Sequence, residues 1–480
     1  DMERDDLHRE VYRTQGTLTS CFGYDAMGRK AWQFASTLPA DKLSHVLGSE
    51  TPQLLVEHAY NPIHRRYQYD PAGELTRTLD KLRGEIKHEY EANGQLHSRD
   101  TGKLVDSEEF RYDAAANRLN FNTSQFDHVK DNRIKHWRDQ EYAYDPWGNL
   151  VEKRSGMNRL QTFVYDCENR LVKAETLVGS KLESTGGYRY DSLGRRVAKV
   201  SRVNGVTDQK HFLWQGLRLL REESPGQSSL YVYEPGSYAP LARVDQEEGG
   251  EQRLYYFHTD QIGTPLEMTD ADGQIVWQAT YKAWGSVEKL TVNEVEQNLR
   301  FQGQYFDDET GLHYNTFRYY DPEVGRFVTQ DPIGLDGGYN LYKYAPGPTG
   351  WIDPLGLSCG SDAKVLRQKL GPSPVGGGQY DAHHIIMSNS KDPRMMALRE
   401  KMKELDIDVN DKRNGIWLPN SESARVPGTS ATPHKGAGVH SDNYKQKVFD
   451  SLSEKNTREE FLSSLGDIKK SLSEGINFKR

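Results

Sequence analysis

The sequence has few cysteines and no long apolar segment. Its 480 residues include three cysteines, Cys21, Cys167 and Cys359, none in a Cys-X-X-Cys pair. Neither a disulfide framework nor a thiolate metal site is predicted, and we expect reduced thiols in a protein made in the cytoplasm. No apolar run approaches the roughly 18 residues of a membrane-spanning helix. Because hydrophobic residues make up only 35% of the chain, a helical or doubly wound enzyme is disfavoured.

Glycine and tyrosine are abundant instead. The chain contains 43 Gly and 27 Tyr, a composition typical of turn-rich β structure. Charge is unevenly distributed, because residues 358–480 carry 20 Lys and Arg against 16 Asp and Glu while the whole chain has a net charge of −8. A mildly basic tail therefore follows an acidic body. Such a tail suits contact with polyanions, or retention by the acidic body, although ordinary variation between domains is the alternative.

A short motif recurs through the first 200 residues, in which an aromatic-X-Tyr-Asp core is followed by Gly or Asn and then by a strand-like stretch. Alternating aromatic and apolar residues around a turn predict one β-hairpin per repeat. A lone hairpin buries little surface, so we predict a long sheet with the tyrosines as ladder and core residues. A sugar-binding or base-stacking role is the alternative for these tyrosines. They are Tyr24, Tyr69, Tyr90, Tyr112, Tyr144, Tyr165 and Tyr190.

The sequence changes character at 255–287 and 299–357. These segments, together with the repeats, resemble the core-terminating region of Rhs/YD-repeat polymorphic toxins over essentially residues 1–357. The resemblance implies a β shell over 1–298 that encloses a C-terminal toxin, and a plug over 299–357 that cuts itself from its cargo. Because family shells usually contain more repeats, we expect this chain to be the C-terminal part of a longer protein.

Two near-copies of one motif, DPIGL and DPLGL, begin at Asp331 and Asp353. Each motif suits a rigid turn, which is the simpler role. Two carboxyl groups brought together share a proton, so one can activate water while the other protonates the amide. The resemblance implies cleavage just after the second motif, at the bond between Leu357 and Ser358. Asp331 and Asp353 are then the catalytic pair.

After Gly360 the pattern becomes helical, with apolar residues at i, i+3 and i+4 among charged ones. The stretch 372–378 reads as a flexible loop. The tail, 358–480, is therefore predicted to be an α-rich α+β domain. The predicted helices cover 361–371, 391–406 and 444–473, and the predicted strands cover 383–386 and 415–418.

Adjacent histidines lie in the stretch DAHHII at 381–386. On a strand, His383 and His384 point to opposite faces, so one imidazole can bind a metal while the other faces a scissile phosphate. Alone, such a pair is more often a surface feature. Downstream, Asn414 opens an Asn-Gly turn and His440 lies just before a predicted helix capped near Ser441. This order is a ββα-metal layout.

Residues 380–450 resemble the AHH family of the HNH/endonuclease VII superfamily, through Ala382, His383 and His384. The resemblance implies that His383 and His440 are metal ligands and that His384 is the general base. It also implies that Asn414 braces the loop and orients His384.

Three roles are open for His434: a further metal ligand, a phosphate contact or an exposed histidine. Lys435, Lys445 and Lys447 are candidate nucleic-acid contacts, although a solvated helix face is the alternative. The cofactor is a divalent metal, with Mg²⁺ expected on availability and Mn²⁺, Zn²⁺ or Ni²⁺ left open.

Taken together, the resemblances imply an antibacterial effector made in the bacterial cytoplasm and delivered by a secretion apparatus, such as the type VI system, into a target cell's cytoplasm. The freed tail would be a DNase neutralised by a cognate immunity protein. An RNase tail is the first alternative, since no motif in the sequence predicts recognition of a 2′-OH or a base edge and so distinguishes RNA from DNA. A non-enzymatic adhesion or carbohydrate-binding module is the second. Exposed strand edges predict self-association into a homo-oligomer.

Overall fold

Alternating aromatic and apolar residues give the first part of the chain a long series of antiparallel strands. In the computed structural model, the unit Asp1–Cys359 contains one sheet of nine strands and one of fifteen, and each strand pairs with those next to it in the sequence. The nine are β1 (Met2–Arg4), β2 (Glu10–Gln15), β3 (Leu18–Tyr24), β4 (Lys30–Ser36), β5 (Ile63–Tyr69), β6 (Leu75–Asp80), β7 (Gly84–Tyr90), β8 (Leu96–Asp100) and β9 (Glu108–Glu109).

A small hairpin separates the two sheets, and it consists of β10 (Val129–Lys130) and β11 (Arg133–Ile134). The fifteen strands are β12 (His136–Trp137), β13 (Gln140–Tyr144), β14 (Leu150–Ser155), β15 (Arg159–Tyr165), β16 (Leu171–Val178), β17 (Lys181–Tyr190), β18 (Arg196–Val203), β19 (Val206–Gln215), β20 (Arg218–Ser224), β21 (Gln227–Tyr233), β22 (Pro240–Glu247), β23 (Gln252–Thr259), β24 (Pro265–Thr269), β25 (Ile275–Tyr281) and β26 (Val287–Asn293).

The structure describes only part of the chain. Ser358, Lys435, the loop predicted at 372–378 and most of the helix predicted at 361–371 lie outside the described residues. No helix among the described residues is long and apolar enough to cross a membrane. The described residues are 2–6, 9–38, 43, 61–120, 129–357, 366, 370, 380–388, 390, 392–405, 407–425, 429–434 and 438–476.

The repeat motif forms the predicted hairpin. In the repeat at Tyr69, β5 ends at the tyrosine and the Asp70 carboxylate accepts a 2.8 Å hydrogen bond from the Glu74 backbone N–H. Gly73, with a φ of +94°, adopts the left-handed conformation that the turn requires. The strand register shifts at Tyr69, so a β-bulge disrupts the ladder there.

The tyrosine hydroxyl of the next repeat supplies a donor at this bulge. Tyr90 donates to the carbonyl of Leu75, the residue that pairs with Tyr69 across the bulge. The tyrosines therefore join neighbouring hairpins, as the ladder interpretation predicts. The same bond recurs from Tyr112 to Leu96 (2.9 Å), Tyr165 to Leu150 (2.8 Å) and Tyr190 to Leu171 (2.6 Å), and Trp214 makes it through its indole N–H to Arg196 (2.8 Å).

The segment after β26 folds against the fifteen-stranded sheet. Its small sheet contributes Tyr305, Tyr314 and Tyr319 to a core that includes Phe212 and Trp277 of the larger sheet. The division of this unit into a shell, 1–298, and a plug, 299–357, stays a prediction. The four strands of the small sheet are β27 (Tyr305–Asp307), β28 (Leu312–Asn315), β29 (Arg318–Asp321) and β30 (Arg326–Phe327).

Buried ion pairs fix this segment in place. Asp307, fully buried, accepts hydrogen bonds from Arg196 and Lys199 of β18, and Lys153 of β14 pairs with Asp321 at 2.9 Å. Removing one partner of such a pair would leave an uncompensated buried charge. The pairs therefore specify one register between the segment and the sheet.

The second unit, Gly360–Arg480, has its own apolar core, which includes Ile385, Leu418, Val448 and Phe461. The β-shell followed by a small α-rich domain is the fold class predicted from the sequence. Its elements are β31 (Tyr380–His384), α1 (Pro393–Glu404), β32 (Gly415–Pro419), α2 (Asp442–Leu452) and α3 (Arg458–Glu474), with short 3₁₀ turns at Lys412–Asn414 and Glu422–Ala424.

The single helix predicted at 444–473 is wrong, because the chain breaks between α2 and α3. Helix α2 ends at Leu452, and the Thr457 side chain caps α3 by accepting from the Glu460 backbone N–H. Thr457 is a favourable N-cap followed by Glu459 and Glu460 in the first turn. Charged residues continue on both sides of Thr457, so the sequence pattern alone does not reveal that a new helix begins there.

Replacing Tyr165 by Phe tests the tyrosine ladder. The change removes only the hydroxyl that donates to Leu150, so we expect the free energy of unfolding to fall by about 1–2 kcal/mol. Denaturant unfolding followed by tryptophan fluorescence measures it. Tyr339→Phe is the control, since that side chain is 90% exposed and should leave the midpoint unchanged. Equal stability of the two variants would contradict the ladder role.

Candidate metal centre and self-cleavage site

The hairpin β31–β32 positions the two adjacent histidines. His383 pairs with Ile416 and His384 with Gly415, so their imidazoles leave opposite faces of the hairpin. Gly415 has extended backbone (φ −130°) and begins β32, so the expected Asn-Gly turn is not formed there. A side chain at Gly415 would collide with Leu366, which explains the glycine by packing.

Three imidazoles meet on one side of the hairpin. His383, His434 and His440 each offer a ring nitrogen, and these nitrogens all lie within 4.8 Å of one another. The Nε2 atoms of His434 and His440 are 3.0 Å apart. Two nitrogens bound to one tetrahedral Zn²⁺ lie about 3.3 Å apart, given bonds of about 2.0–2.1 Å. The residues present therefore fit a divalent metal.

Burial favours the metal-binding form of two of these histidines, His383 and His440. His383 is 2% exposed, and burial followed by the nearby His434 and His440 rings holds its pKa well below the ordinary value. Burial, and then His434, also lowers the pKa of His440. Neutral imidazoles carry a free ring lone pair at neutral pH, which is the metal-binding form.

His384 is buried on the other side and is held by a residue that the sequence analysis missed. Its Nε2 lies 2.9 Å from Oδ1 of Asn410. Asn414 instead holds the backbone, since its side chain accepts from the Ile386 N–H and donates to the carbonyls of Ile386 and Val409. Asn414 thus braces the loop, whereas the observed contact to His384 comes from Asn410.

Two more contacts around the cluster were not anticipated. Asp381 Oδ2 lies 3.0 Å from His434 Nδ1, and the Tyr444 hydroxyl lies 3.0 Å from His383 Nε2. Asp381 was visible in the sequence as the residue two positions before His383. Tyr444 could be found only as a residue one helical turn after His440, on the helix that Ser441 caps.

The candidate nucleic-acid lysines differ in their surroundings. Lys445 lies 3.6 Å from Asp392 and 3.5 Å from Asp442, so carboxylates of the same unit neutralise it. This favours the structural alternative for Lys445. Lys447 lies on α2, and Lys435 lies outside the described residues.

The two DPxGL aspartates converge on one guanidinium in the first unit. Arg318 Nη2 lies 2.9 Å from Asp331 and 3.5 Å from Asp353, and all three side chains are at most 5% exposed. Burial raises the pKa of Asp331, while Arg318 opposes the rise. Arg318 also donates to the carbonyls of Gly356 and Leu341, so it joins both motifs to β29. Arg318 carried no signal in the sequence analysis.

Leu357, the residue before the expected cut, lies next to the Asp331–Asp353 pair. Its backbone N–H donates to Asp353 Oδ1 at 3.1 Å. The Asp331 carboxylate and the Leu357 carbonyl oxygen both lie less than 3.0 Å from the point where a Cβ on Gly337 would stand. A glycine at 337 therefore lets the carboxyl group and the carbonyl approach each other. Ser358 lies outside the described residues.

The fold and the site together define a YD-repeat shell joined to a ββα-metal nuclease domain. Residues 65–341 match the Teneurin YD-shell family, and residues 367–466 match a nuclease family of the HNH/ENDO VII superfamily with conserved AHH. The chain belongs to the Teneurin YD-shell family and combines an Rhs-type shell with an AHH nuclease domain.

Several curated proteins are similar. The double-stranded DNA deaminase toxin A of Burkholderia cenocepacia (strain H111) is 43% identical over 408 residues, covering 80% of this chain and 27% of its own length. Toxin protein Tse5 of Pseudomonas aeruginosa is 33% identical over 423 residues, covering 74% and 30%. A probable deoxyribonuclease, RhsA of Dickeya dadantii (strain 3937), is 30% identical over 389 residues, covering 77% and 25%. This chain thus spans between a quarter and a third of each relative.

Among solved structures, the crystal structure of TcdB2-TccC3-Cdc42 has a TM-score of 0.50 at 18% identity, covering 74% of this chain and 19% of that one. At this identity the similarity supports the fold alone.

Metal titration tests the histidine cluster. We expect the full chain to bind one equivalent of Zn²⁺ or Co²⁺. His383→Ala and His440→Ala should each weaken metal binding by more than about 100-fold. Each removes a metal ligand, which should cost more than the roughly 10- to 100-fold lost when a residue behind a ligand is removed. Chelator competition measures the affinity, and His211→Ala, an exposed histidine of the shell, is the control. Undiminished binding in both cluster variants would exclude this centre.

Proposed function

We propose that this chain is part of an antibacterial Rhs effector that cleaves itself after Leu357 and releases a metal-dependent DNase. The observation that carries the nuclease proposal is the cluster of His383, His434 and His440, with His384 on the opposite face of the same hairpin, in a unit that matches the AHH family. The Dickeya relative named as a probable deoxyribonuclease supports DNA as the substrate.

In the proposed reaction, His384 takes a proton from the attacking water. The Asn410 amide oxygen can only accept, so His384 Nε2 carries the hydrogen of their contact and Nδ1 is left as the basic atom. Asn414 keeps the 409–414 loop against Ile386, which holds Asn410 in place. A metal held by His383, His434 and His440 would supply Lewis-acid stabilisation of charge on the phosphate.

The donor set bears on which metal this is. Mg²⁺ prefers oxygen ligands, whereas three imidazole nitrogens suit a transition metal such as Zn²⁺ or Ni²⁺. We therefore propose a transition metal, in place of the Mg²⁺ expected from availability.

Replacing His384 by Ala tests the base. DNA cleavage should fall by about 10²-fold or more because no side chain takes the proton, while metal affinity should stay near that of the parent chain. Protein from cell-free synthesis is incubated with plasmid and with total RNA, with and without EDTA, and the products are separated on gels.

His211→Ala is again the matched control and should cut at the parent rate. Near-parent cleavage by His384→Ala would contradict the mechanism. If the tail degrades RNA but not plasmid, it is an RNase. If it cleaves neither nucleic acid, with or without EDTA, a non-enzymatic module is favoured.

For self-cleavage, we propose that Asp331 protonates the leaving amide nitrogen and Asp353 takes the proton of the attacking water. Water adds to the Leu357 carbonyl carbon, and the bond to the Ser358 nitrogen breaks. The raised pKa of Asp331, caused by burial, suits the acid. Arg318 holds both carboxyl groups within 3.5 Å of one nitrogen.

Expression of the chain tests this site. The parent should yield fragments 1–357 and 358–480, whereas Asp331→Asn and Asp353→Asn should stay intact because each removes one carboxyl group of the pair. Gly337→Ala should slow cleavage by pushing Asp331 away from the Leu357 carbonyl. Gel analysis with mass spectrometry identifies the new terminus.

Asp272→Asn, an exposed aspartate in another turn, should cleave like the parent. Circular dichroism checks that intact variants are folded. Folded Asn variants that still cleave after Leu357 would remove these aspartates from the mechanism.

The wider biology is part of the same proposal. A cognate immunity protein would protect the producing cell, and a secretion apparatus would carry the effector from its cytoplasm into that of a target cell. The similarity to toxin protein Tse5 supports a toxin role. Strands β1, β9, β12 and β26 each pair on one side only within the described residues, which supports self-association.

A further inference from the structure

We propose that Asp381 and Tyr444 are positioning residues that fix the tautomers of two histidines, so that His383 presents Nδ1 and His434 presents Nε2 to the metal. This inference rests on the proposed metal centre and adds to it the two residues that set its geometry. Each assignment follows from hydrogen-bond chemistry at a described contact.

The Tyr444 hydroxyl determines the tautomer of His383. This hydroxyl has one hydrogen, and it donates that hydrogen to the Ile385 carbonyl at 3.0 Å. A carbonyl oxygen only accepts, so toward His383 the hydroxyl oxygen can only accept as well. The hydrogen in the 3.0 Å contact therefore belongs to His383 Nε2. The lone pair of a neutral His383 is then on Nδ1.

The Asp381 carboxylate determines the tautomer of His434. Its Oδ2 lies 3.0 Å from His434 Nδ1, and an ionised carboxylate only accepts. In a neutral His434, Nδ1 therefore carries the hydrogen and Nε2 carries the lone pair. That Nε2 is the atom 3.0 Å from Nε2 of His440, so the free lone pair lies inside the cluster.

The two partners are not equivalent. Asp381 lies on β31, two residues before His383, and brings a carboxylate to a centre whose three candidate ligands are all imidazoles. Tyr444 lies on α2 and is a neutral partner that is 0% exposed. A carboxylate behind a histidine increases the basicity of its ligand nitrogen, whereas a hydroxyl mainly orients the ring. Asp381 should therefore contribute more to affinity than Tyr444.

The test measures Co²⁺ and Zn²⁺ binding by the full chain through chelator competition, together with the visible absorption of bound Co²⁺. Asp381→Ala should weaken binding by about 10- to 100-fold and alter the Co²⁺ spectrum. Asp381→Asn should recover part of that loss, because an amide oxygen can still accept from His434 Nδ1. Tyr444→Phe should weaken binding less than Asp381→Ala.

Asp467→Asn, an exposed aspartate on α3, is the matched control and should bind like the parent. Thermal unfolding in EDTA separates positioning from folding. Asp381→Ala should match the parent without metal and lose part of the stabilisation that metal adds. If Asp381→Ala unfolds earlier to the same extent with and without metal, Asp381 is structural and the proposal is overturned.

Parent affinity and an unchanged Co²⁺ spectrum in both Asp381→Ala and Tyr444→Phe would also overturn it. If the parent chain itself binds no metal, the proposed metal centre fails, a result distinct from failure of the positioning roles.

Discussion

The hydrogen bond from a repeat tyrosine to a carbonyl of the preceding hairpin, made by six of the seven repeat tyrosines, is the interaction on which the shell depends. Each repeat ends its first strand in a bulge, and a bulge leaves a gap in the ladder of backbone bonds. The next repeat fills that gap with a side chain, as Tyr165 does at Leu150. The sheet therefore accommodates a bulge at these repeats while the carbonyl at the bulge keeps a hydrogen-bond donor. The fifteen-stranded sheet built in this way shares its apolar core with Tyr305 and Tyr314.

Local patterns were sufficient to predict the repeats and the order of the nuclease elements. Hairpins follow from alternation and turn residues that lie within a few positions of one another, and Ser441 is recognisable as a cap because capping is local. The break before Thr457 was missed because charged residues continue through it. Gly415 was assigned to a turn for a similar reason, although it is explained by Leu366, a residue far away in the sequence.

Local sequence patterns predicted even less of the contacts at the candidate site. Sequence pattern and resemblance suggested His383 and His384, but the contacts that orient them cross between elements. Asn410 reaches His384 from a loop, and Asp381 reaches His434 across 53 positions of sequence. Arg318 likewise meets Asp331 and Asp353 only in the folded unit. Such partners are set by tertiary packing, which no short motif encodes.

The strict pairing of successive strands has a consequence for how the shell is made. A sheet whose strands pair in chain order needs mainly short loop closures, which are entropically inexpensive and fast. Each hairpin can therefore add to the one before it as the chain leaves the ribosome. The ion pairs of Asp307 with β18 span more than 100 positions, so they can form only after residues 299–357 have been made. Packing of residues 299–357 onto the sheet therefore follows formation of the hairpins, and these residues are the last to be made before the nuclease domain.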